Sequence, residues 1–103
     1  MHSEREADLQ VERRRLARIQ EHLHRQAVIV ADARDLLERD STWPRPRAIV
    51  EAELERATRF DVPTLLEVIV QSERKIVEFE AAIREASSAE KAASQGAAES
   101  HES

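Results

Sequence analysis

The chain has 103 residues, a net charge of −5, no cysteine and a single glycine. Its length is enough for one domain and too short for two of ordinary size. The missing cysteines exclude disulfides, thiol catalysis and zinc fingers. The lone Gly96 leaves residues 1–95 without the glycines that phosphate-cradling loops, dinucleotide folds and nucleophile elbows require.

Charged residues make up 36% of the chain and apolar ones 41%. Alanine supplies a large share of the apolar set, so the core is modest, and small chains with modest cores often gain stability by oligomerising. Residues 1–47 hold ten arginines against nine acids, whereas residues 48–103 hold six basic groups against twelve acids. An acidic chain is a poor prior for general nucleic-acid binding. The N-terminal stretch is charged throughout and no apolar run approaches the roughly twenty residues of a membrane span, so a cytoplasmic protein is expected.

Residues 4–39 read as one long helix. Leu9, Leu16, Leu23, Val30 and Leu37 recur every seven residues, and Ile19, Gln26 and Ala33 follow three after the middle members. With these sets at a and d the pattern is a heptad seam. Ile29 and Leu36 widen it on one flank. The stretch "RDSTWPRPR" then breaks the helix, because Pro44 and Pro46 cannot lie in a helix interior. Trp43 is expected to plug the end of the core.

A shorter helix over about 46–59 carries Ile49, Val50, Leu54 and Ala57 on its apolar side. "FDVP" at 60–63 forms a second break, since a proline restricts the residue before it away from helical angles. The last helix is expected over about 63–87, with Val62, Ile69, Ile76 and Ile83 at a and Leu65, Ser72, Phe79 and Ala86 at d. Residues 88–103 lose all large apolar side chains and read as a disordered polar tail. The expected fold is all-α: a helical hairpin domain over 1–87 whose second arm is broken, giving three helices. The first arm runs antiparallel to the second and third. Arg13 is expected to face Glu73 or Glu80 across the pair.

A two-helix hairpin buries one stripe per helix. Leu66, Val68, Val70 and Val77 lie off the seam of the last helix, and Ile29 and Leu36 off that of the first. A second copy covering these residues would make a homodimeric helical bundle.

Glu21-x-x-His24, with His22 between, has the spacing of half a carboxylate-bridged metal site. Both residues fall opposite the seam, whereas such sites project inward, so a solvated face is expected and no cofactor is assigned. Arg13, Arg14, Arg15, Arg18 and Arg25 could contact phosphates, but Glu12 and Glu21 interleave with them. The stretch from Glu53 to Val70 loosely resembles a helix-turn-helix without side chains that read base edges. Serines 3, 41, 87 and 88 have no histidine in their sequence context, and a thin bundle offers little concavity for acid–base chemistry. The sequence therefore points to a non-catalytic helical interaction protein, acting as a homodimeric adaptor, chaperone-like binder or assembly component. A small nucleic-acid-binding regulator using the arginine-rich helix is the alternative, and a metal-binding carboxylate/histidine bundle a second one.

Overall fold

A computed structural model describes the backbone from residue 3 to 102 and the side chains from residue 4 to 93. Helix α1 spans Ser3–Glu38, α2 spans Arg47–Arg56 and α3 spans Val62–Glu102. The described backbone is otherwise turn and π-helix, without a strand. The radius of gyration is 24.0 Å, against about 13 Å for a compact chain of this length. The molecule is a rod of 86 × 17 × 16 Å.

Acidic Glu4 and Glu6 open α1 where the helix dipole favours negative charge. Its last turn tightens, with the Arg39 N–H donating to the Leu36 carbonyl at 3.2 Å. The reversal is a hydrogen-bonded turn. The Arg45 N–H donates to the Thr42 carbonyl at 3.1 Å, and the buried Thr42 hydroxyl donates to the Arg45 carbonyl at 2.6 Å. Pro46 then takes the N-cap position of α2, and the N–H groups of Ile49 and Val50 donate to its carbonyl. The loop carries Trp43 outward, 85% exposed. The expected plug at the core end is therefore corrected. Val50, fully buried, takes that role from the first turns of α2.

The expected second break is also corrected. Between α2 and α3 lies one π-helical turn, Ala57–Asp61, and the three segments form a single continuous arm. The protein is thus a hairpin of two helical arms, not three helices. A proline inside an α-helix loses its bond to the carbonyl four residues back and its ring collides with that group. A π turn holds one extra residue and shifts the ladder to five-residue spacing, which relieves that collision at Pro63. The Val62 N–H donates to the Ala57 carbonyl in this register. Thr58 adds bonds from its hydroxyl to the Leu54 and Glu55 carbonyls at 2.8 and 3.3 Å.

Cross-arm contacts fix the antiparallel pairing. Arg47 Nη2 donates to the Leu37 carbonyl near the turn, the Ser72 hydroxyl donates to Glu12 Oε1 further along, and Arg5 Nη1 reaches the Ala82 carbonyl near the open end. The expected seam positions are all buried or half-buried in both arms, with Leu9, Ala33, Ile69 and Ser72 the most enclosed.

The helix boundary expected near residue 87 moves as well, because α3 continues to Glu102. The stretch after Ala86 is rich in alanine, the best helix former, and holds no proline, so a helix needs no apolar stripe there. At 1.5 Å per residue the 56 residues from Arg47 to Glu102 span about 84 Å and the 36 of α1 about 54 Å. The second arm therefore overhangs the first by roughly 30 Å. Side chains 87–93 on this overhang are exposed.

Candidate interaction surface

The seam divides the hairpin surface into two flanks. In an antiparallel pair, e positions face e positions, and Arg13 Nη2 lies 3.7 Å from Glu80 Oε2 as that rule requires. On this first flank Leu66, Val70 and Val77 form an exposed stripe along α3, at 49, 49 and 60% exposure. Nearer the turn, the same flank holds an open groove of 370 Å³ walled by Leu23, Ala27, Val30 and Ala31 of α1 with Thr58 and Val62 of the second arm. Arg34 is the one charged residue on its lining. The alanines leave room that larger side chains would fill.

The second flank has a different character. Its larger hollow, 510 Å³, is lined by Gln26 and Ile29 among charged groups that include Asp32, Arg45, Glu53 and Asp61. Arg45 and Glu53 are ion-paired there. A smaller hollow of 220 Å³ lies between His22, Phe60 and Leu65, with the Arg59 guanidinium 5.6 Å from the Phe60 ring.

The six apolar residues singled out for an interface do not share one surface. Leu66 and Val68 are two residues apart, hence roughly 200° around the helix. Val68, half-buried, belongs to the second flank with Ile29 and the half-buried Leu36. Leu66, Val70 and Val77 belong to the first. Periodicity marks all six as lying off the seam, but which flank each takes depends on how the two arms are oriented.

Glu21 and His24 are both exposed, and Glu21 pairs with Arg25 at 3.4 Å along one turn. No group of three or more His, Asp or Glu gathers as a metal site among the described residues. The arginine row is largely partnered by acids. Arg13 faces Glu80, Arg15 lies 3.8 Å from Glu12, and Arg25 pairs with Glu21. Arg14 and Arg18 are exposed.

One polar pair was not foreseen. Glu12 stands three residues after Leu9, so it continues the d series of Ile19, Gln26 and Ala33 backward by one heptad. It is buried there at 7% exposure and accepts a 3.0 Å hydrogen bond from Ser72, itself 2% exposed. Every buried polar side-chain atom among the described residues has a partner. Extending the d spacing one step toward the N-terminus is the signal that finds Glu12.

No described helix is long and apolar enough to cross a membrane. No family model matches the chain, and no curated protein or solved structure matches it.

Proposed function

We propose that the protein is a non-catalytic helical interaction module that works as a homodimer, serving as an adaptor, chaperone-like binder or assembly component. The observation that carries this reading is the stripe of Leu66, Val70 and Val77, left about half exposed on an arm whose seam is already engaged. Fully burying such a side chain is worth roughly 1.5–3 kcal/mol, so covering the exposed half returns about 1 kcal/mol each. Two stripes in a dimer then supply about 6 kcal/mol, near the lower end of the cost of association. The neighbouring groove, lined mostly by apolar side chains, offers further surface to cover. The nucleic-acid alternative has less support, because three of the five candidate arginines lie against carboxylates.

The test compares two carboxylate insertions. Val70→Asp places an unpaired charge in the stripe, which is costly only when that surface is covered. It is expected to turn a dimer into a monomer in sedimentation equilibrium while preserving helical circular dichroism. Ile76→Asp strikes the seam and is expected to unfold the hairpin. A wild-type protein that sediments as a monomer at high concentration overturns the reading.

A further inference from the structure

Resting on the homodimer reading, we infer that the second copy docks antiparallel on the first flank, with each stripe against the other copy's groove and Arg34 paired to Glu73 of the opposite copy. The Ser72–Glu12 and Arg47–Leu37 contacts set the levels along the rod to within about three residues, the Arg5–Ala82 contact pairing positions three further along. Ser72 is level with Glu12 and Arg47 with Leu37. The same register puts Leu66 level with Arg18, Val70 with Arg14 and Val77 with Ala7. The stripe thus spans the levels Ala7 to Arg18 of α1. The groove spans Leu23 to Arg34. These two stretches are equally long, and the point midway between them lies within about two residues of the midpoint of α1, which falls between Gln20 and Glu21.

A two-fold axis across the rod at that midpoint exchanges the level of Ala7 with that of Arg34, and the level of Arg18 with that of Leu23. One rotation therefore brings both stripes level with both grooves, as an isologous interface requires. It also overlaps the paired length of the two hairpins completely. That length is about 54 Å and the rod is 17 Å wide, giving a face of roughly 900 Å². A stable interface of standard size takes about 800 Å² from each partner.

Charge agrees with the same axis. Arg34 and Glu73 both sit at e positions on this flank, are exposed, and have no ion-pair partner among the described residues. Glu73 is level with Val11, four residues from the level that Arg34 meets. The offset is about 6 Å along the rod, within reach of an arginine side chain. Two such reciprocal pairs form per dimer. The second flank offers no comparable match, since its main hollow is lined by charged groups, among them the paired Arg45 and Glu53.

The absence of cysteine from the full chain makes a direct test available. Gln20 and His22 are both exposed near the midpoint and lie on opposite flanks, roughly 200° apart. With a short bis-maleimide, Gln20→Cys is expected to cross-link to a covalent dimer and His22→Cys to remain monomeric on a denaturing gel. Arg34→Glu and Glu73→Arg are each expected to weaken dimerisation about tenfold by sedimentation equilibrium, with the double variant restoring it. Cross-linking through His22→Cys and not Gln20→Cys overturns the assigned flank while leaving the homodimer standing. A dimer that cross-links through neither, or charge reversals without rescue, overturns the antiparallel arrangement. A wild-type monomer removes the homodimer itself.

Discussion

Replacing Ser72 with alanine tests whether the Glu12 pair holds the seam together. Glu12 is a carboxylate at a d position with little access to water, and the Ser72 hydroxyl donates to it at 3.0 Å. The nearest cation, Arg15, is 3.8 Å away and roughly half exposed, so it compensates only in part. A hydrogen bond to a charged group contributes about 1.5–3 kcal/mol, and a buried acceptor deprived of its donor costs a similar amount. In a domain of this size about 1 kcal/mol moves the melting temperature by roughly 4–8 °C. Ser72→Ala is therefore expected to melt roughly 6–24 °C below wild type. Glu12→Leu combined with Ser72→Ala removes both partners and leaves an apolar seam, which should recover most of the loss or exceed wild type. The coupling from the full double-mutant cycle is expected at about 1–2 kcal/mol. Melting is followed by circular dichroism at one protein concentration, because an associating protein melts in a concentration-dependent way. A Ser72→Ala protein that melts within about 2 °C of wild type, with an unchanged denaturant slope, refutes the account.

Removing Phe60 while changing Pro63 to alanine takes out the extra residue of the π turn together with its cause, and should leave the melting temperature close to wild type. Removing the exposed Gln71 instead rotates everything after it by about 100° and should abolish cooperative melting. Truncation after Ala86 is expected to lower helical ellipticity by the loss of the overhang while moving the melting temperature by less than about 4 °C; a larger drop means the overhang packs. Trp43→Ala should be nearly silent in stability, and the tryptophan should emit as a solvated indole open to quenchers. Shielded emission at low protein concentration contradicts the outward loop.

The seam was legible because burial imposes a period, and the period is visible in Leu9, Leu16, Leu23, Val30 and Leu37 without any structure. The reversal at 40–46 was legible for the same kind of reason, since two prolines and a run of polar residues have few alternatives. Trp43 was not. An indole carries a large apolar surface that usually packs, but a turn closed by Thr42 and Arg45 leaves it no wall to pack against. The continuation of α3 is not legible from an apolar stripe, because alanine sustains a helix through backbone preference alone. The split of the interface residues between flanks was beyond single-helix periodicity, which gives each angle relative to its own axis and not to the partner arm. Cross-arm contacts such as Arg13 against Glu80 and Ser72 against Glu12 relate the two arms.

The misread break at 60–63 has a more instructive cause. From α2 into the π turn the enclosed positions are Val50, Leu54 and Ala57; the seam of early α3 is Val62, Leu65, Ile69 and Ser72. Continuing the first set at alternating steps of four and three passes through Asp61 and reaches Thr64 and Val68, one residue short of Leu65 and Ile69. The two stretches are out of phase by one residue. A phase jump beside a proline looks like a loop, because loops commonly separate helices of unrelated phase. One π turn accounts for both features: it accepts Pro63, and its extra residue returns the apolar face to the seam. Phe60, 58% exposed, then falls outside the seam. A true break would free the later helix from following the first arm, and the rod would lose the straight flank on which the stripe and the groove are aligned. The π turn therefore connects the local chemistry of Pro63 to the surface that the proposed dimer uses: it keeps Val62 on the groove wall and Leu66 at the head of the stripe, one helical turn apart on a single uninterrupted arm.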